Sequence, residues 1–148
     1  MASLREEIPL DEKRPQIIDD CCRLLDAEVS RKKGIGGLAV KGGYKVLKTI
    51  KPGAVREAVD GLLDDFIDAL EPFRSSWEEG GAAGTFAAHL QARDGQVAEA
   101  LVQVTDAKAR NTRHGNLRKV YQKLRPSAVN HVRQAVPALA GLIDGYRK

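Results

Sequence analysis

The stretch VREAVDGLLDDFIDALEPFRSSW, residues 55–77, carries the clearest structural signal in the chain. Its apolar side chains recur every three or four residues, which is the repeat of one face of an α-helix. They are Val55, Val59, Leu62, Leu63, Phe66, Ile67, Leu70, Phe73 and Trp77. Acidic side chains occupy the opposite face, so the stretch predicts an amphipathic helix that packs its apolar face into a core. Pro72 should bend or end this helix, because an interior proline costs about 3 kcal/mol.

The rest of the chain repeats the helical pattern. Helices are predicted over residues 15–33 and 38–50, over 117–124 with a stop at Pro126, and over 129–146 with a kink or restart at Pro137. Two more are predicted between them, a short helix capped by Thr85 and a longer one capped by Asp94. No segment alternates with the two-residue period of a strand. We therefore predict an all-α fold, a single-domain bundle of six or seven helices without a sheet. Residues 1–14 should form a flexible tail, and residues 15–148 one helical domain with a glycine-rich loop at 78–84.

Composition and the cysteines indicate a small cytoplasmic protein. At 148 residues the chain fits one domain with its own core. Cys21 and Cys22 are adjacent, and neighbouring helical side chains diverge by about 100°, which excludes an unstrained disulfide between them. The start of the chain lacks the pattern of a secretory signal, and the longest apolar run, residues 135–143, is far shorter than the roughly 20 residues of a membrane span.

The glycine-rich segment GIGGLA, residues 34–39, matches the letters of a dinucleotide-binding fingerprint. That fingerprint requires a preceding strand, and here a predicted helix comes first. A nearby GxxxxG spacing has glycine where a phosphate loop needs lysine. We interpret these glycines as connections between helices: Gly34 caps a helix, Gly36 and Gly37 turn the chain, and Gly42 and Gly43 let another helix approach closely. A weaker alternative is an anion site at the amino end of the helix that follows, near Lys41.

Four segments of the chain resemble a known family. They are GLAVKGGYKVLKTIKPG, VDGLLDDFIDALEPF, ALVQVTDAKA and YQKLRPSAVNHV. They are similar to segments of a family of short, uncharacterised bacterial helical proteins, chiefly from actinobacteria. The resemblance covers roughly residues 21–146 and leaves the first fourteen residues unmatched. It implies a small helical cytoplasmic protein and brings no activity or catalytic residue.

Charge is distributed unevenly, although the net charge is only +4. Residues 29–56 hold eight basic residues and no acid, whereas residues 108–148 hold ten basic residues and one acid. Such asymmetry is typical of contact with nucleic acid or a membrane surface. The basic side chains that could contact a polyanion are Lys41, Lys45, Lys48, Arg118, Lys119, Lys123, Arg125 and Arg133.

Three interpretations of these basic residues stay open. Residues 115–136 have the helix, turn, helix outline of a DNA-reading motif, but Arg125 and Pro126 occupy the turn, so we expect phosphate contact rather than base reading. Residues 38–50 resemble a cationic amphipathic peptide, which makes an anionic membrane surface a second alternative. A third interpretation is that the basic residues have no external partner and only neutralise the acidic helix at 55–77, across the KPG hinge at residues 51–53.

No residues form a recognisable catalytic or metal site. The aspartates at 60–68 lack a histidine partner, and His89, His114 and His131 lie in separate segments with no nucleophile identifiable beside them. We predict a non-enzymatic binding module with an unknown protein partner, no metal and no cofactor; nonspecific binding of DNA or RNA is the first alternative. The apolar faces should be consumed by packing between helices, which leaves charge for contact with a partner.

Overall fold

A computed structural model describes residues 3–147 and their side chains, except the side chain at position 35. Within that range the chain forms seven α-helices and no strand, so the all-α prediction is confirmed there. The helices are α1 (Leu4–Glu7), α2 (Leu10–Arg31), α3 (Gly34–Ile50), α4 (Ala54–Glu79), α5 (Phe86–Ala92), α6 (Asp94–Arg110) and α7 (Gly115–Tyr146). No described helix combines the length and apolar character needed to cross a membrane.

Helix α4 supplies a central apolar face, as its sequence predicts. Leu63, Ile67 and Leu70 are buried in a core cluster completed by residues of α1, α2, α5, α6 and α7. Helix α4 does not end at Pro72 but continues to Glu79. Its packing against α1, α5 and α6 outweighs the local cost of the proline, about 3 kcal/mol.

Helix α1 corrects the prediction of a flexible tail over residues 1–14. Leu4 is fully buried in the core cluster, and its amide donates to the Glu71 carboxylate at 2.8 Å. Ser3 and Glu6 form a capping box that satisfies the first amides of the helix. Because a four-residue helix is unstable alone, these contacts with α4 must hold it in place. Residues 1 and 2 of the predicted tail, and residue 148 of the predicted domain, lie outside the described residues.

A buried ionic network ties both ends of the described chain to α4. Glu7 accepts hydrogen bonds from Arg74 of α4 and from Arg147, whose Nη2 atom lies 2.8 Å from Glu7 Oε2. Arg147 also contacts Asp144 at 3.1 Å and lies 4.8 Å from the centre of the Trp77 ring. Each of these buried charges therefore has the partner that burial requires.

Helix α2 begins earlier than its sequence predicts. It starts at Leu10 rather than Pro15 and contains a kink at Lys13, where φ is −116° and ψ is 17°. A proline ring clashes with the carbonyl group four residues earlier in a regular helix. The kink lies within that turn, so the chain continues through Pro15 with a break in the helical geometry.

Helix α3 also begins earlier, at Gly34 rather than Leu38. Gly36 and Gly37 are therefore helical and do not turn the chain, and the Gly37 amide donates to the Lys33 carbonyl group at 3.2 Å. Gly34 makes the turn, because its φ of +75° lies in the left-handed region that glycine tolerates.

The adjacent glycines within α3 have different surroundings. A Cβ atom at Gly43 would lie 2.7 Å from Val120 Cγ1, so this glycine permits the close approach of α7. A Cβ atom at Gly42 would meet nothing within 4 Å. The predicted close approach is thus present at Gly43 and absent at Gly42.

Helix α7 replaces two predicted helices with one. It runs from Gly115 to Tyr146 through both Pro126 and Pro137, so the predicted stop at Pro126 and the helix, turn, helix outline are wrong. Contacts with α3, α5 and α6 offset the helical stability that the two prolines remove. The described helices still number seven, because α1 adds one helix and α7 merges two.

The connection between α4 and α5 spans residues 80–85, so it begins two residues later than the predicted loop at 78–84. Thr85 caps α5, as predicted, by accepting a hydrogen bond from the Ala88 amide at 3.0 Å. Helix α6 follows α5 after Arg93, and its first residue, Asp94, does not act as the predicted cap.

Candidate functional site

The eight predicted polyanion contacts lie on two helices that pack against each other. Lys41, Lys45 and Lys48 lie on α3, and Arg118, Lys119, Lys123, Arg125 and Arg133 lie on α7. Two of these arginines already have carboxylate partners within the chain. Arg125 lies 2.8 Å from Asp106, and Arg133 lies 2.9 Å from Asp94. Those two guanidinium groups are therefore less available to an external anion.

A further group of basic residues surrounds the connection between α6 and α7. Lys108 and Arg110 lie in the last turn of α6, Arg113 lies in the connection, and Arg118 and Lys119 lie at the start of α7. All five are exposed, and none forms an ion pair with another described residue. This connection carries positive charge that residues 3–147 leave unpaired.

The acidic face of α4 is neutralised mainly by the N-terminal segment. Arg5 and Arg14 contact the Asp64 carboxylate at 3.3 and 3.0 Å, and the hydrogen bond from Arg14 is the main cause of the lowered pKa of Asp64. Across the KPG hinge, Lys51 lies 2.8 Å from Glu57. The basic residues of α3 thus contribute little to this neutralisation, and most of them have no partner on α4.

An apolar cavity of about 430 Å³ lies between α2, α3, α4, α6 and α7. Aliphatic side chains form most of its wall: Leu25, Val29, Val40, Leu47, Leu62, Leu117, Val120 and Leu124. Among the described residues, no aspartate, glutamate, histidine or cysteine lines it, and the two charged lining residues are Lys108 and Arg118. The arrangement suits an apolar occupant with a polar group near these two cations.

Small residues contribute to the wall of the cavity. Ala58 of α4 and Ala109 of α6 line it, whereas Gly43 of α3 lines it where α3 packs closely against Val120 of α7. Leu25 and Leu47 are only half-buried and lie outside the core cluster. The core cluster uses the N-terminal halves of α2 and α6 and the C-terminal half of α7, whereas the other half of each helix lines the cavity. The prediction that helix packing consumes every apolar face is therefore wrong for the half of the bundle that contains the cavity.

Two tyrosines line the cavity, and their hydroxyl groups bond carboxylates outside its lining. Tyr44 donates to Asp26, while Tyr121 donates to Asp106 at 2.5 Å and lies 2.8 Å from the Thr105 hydroxyl. Burial raises the pKa of Tyr121, and the hydrogen bond from Tyr121 lowers the pKa of Asp106. Because these polar groups are satisfied, the wall between them behaves as apolar surface.

The structure brings a serine and a histidine together away from the cavity. Ser76 Oγ lies 2.9 Å from His89 Nε2, a pairing that sequence reasoning missed because thirteen residues separate them. Burial lowers the pKa of His89, and Arg93 adds to the effect. No described carboxylate bonds the other ring nitrogen, so the group that orients the base in a nucleophilic triad is lacking among residues 3–147.

His131 lies beside the start of α3. Both of its ring nitrogens are buried without a hydrogen-bond partner among the described residues. A Cβ atom at Gly36 would lie 3.7 Å from its ring, and Lys32 Nζ lies 3.5 Å from its carbonyl oxygen. Burial lowers the pKa of His131, and the charge of Lys32 acts in the same direction. In the described part of the chain, no three histidine, cysteine or acidic residues converge to hold a metal ion.

A family model, the family of unknown function DUF6918, matches residues 4–147. The chain belongs to the DUF6918 family. The match begins at Leu4 and so includes N-terminal residues that the resemblance left out, in agreement with their burial against α4. Comparison with curated proteins and with solved structures found no match. The family match does not identify a source organism, so the actinobacterial origin stays a prediction.

In this DUF6918 protein, sequence reasoning selected Arg118 from its charge but missed Lys108 and the cavity beside both. One signal was present in the sequence. Ala58 and Ala109 lie among the apolar positions of α4 and α6, and Gly43 lies on the apolar face of α3. Small residues at facing positions indicate either close helix packing or a cavity, and the contacts between helices decide which.

Proposed function

We propose that this protein binds an apolar small molecule in the cavity between α2, α3, α4, α6 and α7. The supporting observation is the aliphatic wall around a volume of about 430 Å³. Ligand sites commonly enclose roughly 300–1,000 Å³ with mostly apolar walls. An apolar ligand in such a concave site gains contacts with the wall atoms and is itself removed from water.

The lining supports binding more than chemistry. The described part of the chain places no carboxylate, imidazole or thiol in the lining that could act as a general base or nucleophile, and the two tyrosines there are engaged in hydrogen bonds. A non-enzymatic binding module is therefore the proposed class. The cytoplasmic location, the protein partner and the absence of a cofactor stay predictions.

The test is a titration with the neutral dye Nile red, displaced by neutral decanol. In the variant Ala109→Leu, the added side chain should fill part of the cavity. Loss of contact for two ligand methylene groups, about 0.8 kcal/mol each, weakens binding roughly tenfold or more. Ala107→Leu on the same helix is the matched control, because Ala107 is also half-buried and does not line the cavity.

Saturable binding by the wild type that Ala109→Leu weakens and Ala107→Leu retains would support the proposal. Circular dichroism must show that both variants keep the helical content of the wild type. If the folded wild type shows no saturable binding, or if both variants bind equally well, the proposal is refuted.

Phosphate-backbone binding of DNA or RNA is a second candidate. It is favoured by the exposed lysine and arginine side chains around the connection between α6 and α7, which form no ion pair with another described residue. Fluorescence anisotropy over a range of salt concentrations tests it. The double variant Lys119→Glu with Lys123→Glu should weaken binding and reduce the slope of log affinity against log salt by about 1.8, since each phosphate contact contributes about 0.9. Lys13→Glu, at an exposed position on α2, is the control and should leave the affinity and the slope unchanged. Unchanged affinity and slope in the double variant would contradict this candidate.

A further inference from the structure

We propose that the ligand is a single-chain anionic amphiphile, with its acyl tail in the apolar cavity and its carboxylate at the mouth between Lys108 and Arg118. This inference rests on the proposed binding of an apolar molecule. It adds a head group, its charge and the two residues that recognise it.

The first support is the position of the two cations. Lys108 and Arg118 both line the cavity, both are exposed, and neither forms an ion pair with another described residue. Arg118 Nη2 donates to the Thr112 carbonyl oxygen at 2.5 Å, which holds the guanidinium group beside the cavity. Lys108 Nζ lies against α4, 2.9 Å from where a Cβ atom of Gly61 would be. Residues 3–147 therefore position both cations without supplying an anion.

The second support is the lack of competing negative charge in the wall. No acidic residue among residues 3–147 lines the cavity, and the carboxylates that its tyrosines bond also contact cations. Asp106 accepts from Arg125 Nε at 2.8 Å as well as from Tyr121, and Asp26 lies 3.9 Å from Lys48 Nζ. The lining thus has a net positive charge, which favours a carboxylate over a neutral head group.

The third support is the geometry of recognition. A guanidinium group can donate two parallel hydrogen bonds to a carboxylate, and an ammonium group adds a point charge. Charge-assisted hydrogen bonds are roughly twice as strong as neutral ones. An alcohol with the same alkyl tail would fill the cavity equally well but would forgo these bonds.

The size of the cavity favours a single chain over a bilayer or a second protein copy. Its volume of about 430 Å³ lies near the lower end of the range for ligand sites, roughly 300–1,000 Å³. Its wall comes from five helices rather than from one flat face. One monomeric amphiphile matches such a concave site.

The experiment compares decanoate with decanol by isothermal titration calorimetry at neutral pH and low salt, below the micelle concentration. Because both cations are exposed, the wild type should bind decanoate about 2-fold to 30-fold more tightly than decanol. In the double variant Lys108→Gln and Arg118→Gln, the ratio of decanoate affinity to decanol affinity should fall to about one. The matched control is Arg110→Gln with Arg113→Gln, which removes the same charge from exposed residues that do not line the cavity.

The outcomes separate the two proposals. Equal affinity for decanoate and decanol in the wild type overturns the head-group site and leaves the apolar ligand site standing. The head-group site is also overturned if the control loses the preference as fully as the cavity variant, since long-range charge would then explain it. If neither compound binds the folded protein, both proposals fail. Co-sedimentation with phosphatidylglycerol vesicles without binding of monomeric decanoate assigns the cations to a membrane surface and overturns the inference.

Discussion

Replacing the adjacent glycines of α3 by alanine, one at a time, should change stability in opposite directions. Alanine in a helix interior is favoured over glycine by roughly 0.5–1 kcal/mol where the methyl group meets no obstacle. At Gly42 no heavy atom lies within 4 Å of the Cβ position. Gly42→Ala should therefore raise the free energy of unfolding by that amount.

At Gly43 the same methyl group meets α7. Its Cβ atom would lie 2.7 Å from Val120 Cγ1 and 3.1 Å from Leu124 Cδ1. Valine is restricted at χ1, so α3 and α7 must separate to admit the methyl group. Overpacking of this kind costs about 1–3 kcal/mol. Because the helix preference is shared by both variants, Gly43→Ala should be less stable than Gly42→Ala by that full steric cost.

Urea denaturation followed by far-ultraviolet circular dichroism measures the difference. In a chain of 148 residues, each 1 kcal/mol should also shift the melting temperature by roughly 2–4 °C. Adding Val120→Ala to Gly43→Ala should restore part of the loss, because it removes the closest contact. If the two glycine variants have equal stability, then α7 does not approach Gly43 as closely as described, and the wall of the cavity is placed incorrectly.

Three further predictions concern the ends of the chain and the buried histidine. Leu4→Ala should lower the free energy of unfolding by about 2–5 kcal/mol in urea denaturation, whereas a change in a flexible tail would have almost no effect. Glu7→Gln should lower it by about 1–3 kcal/mol, because Arg74 and Arg147 then keep only Glu78 and Asp144 as charged partners; an unchanged midpoint would contradict the network. Burial lowers the pKa of His131, so the unfolded chain binds the proton more readily and stability should fall as the pH drops below about 6.5. His131→Phe should flatten this pH dependence in thermal melts, and an equally steep fall in the variant would rule out His131 as its source.

Local patterns of the sequence predicted the helices whose signals lie within a few residues. The repeat from Val55 to Trp77 marks α4 because residues three or four apart share one helix face wherever the helix packs. The hydroxyl group of Thr85 caps α5 through an amide three residues away. These features were predictable because their physical causes act over short sequence distances.

Part of the candidate site was also predictable. Arg118 was selected because positive charge is visible in the sequence whatever the fold. Lys108 was not selected, since its proposed role depends on lining a cavity between five helices. The cavity itself depends on the spacing between α3, α4 and α6, which residue size alone does not determine.

The sequence by itself determined an all-α protein with an acidic helix α4 and basic regions on either side of it. Tertiary structure alone decided that the N-terminal residues pack into the core, where the Leu4 amide bonds a carboxylate 67 positions away. It also decided that α7 continues through Pro126, since contacts with α3 and α6 offset a local cost of about 3 kcal/mol. The physical reason is one of range: helix periodicity and capping act between neighbours in sequence, whereas burial, ion pairing and cavities depend on residues that meet only after the chain has folded.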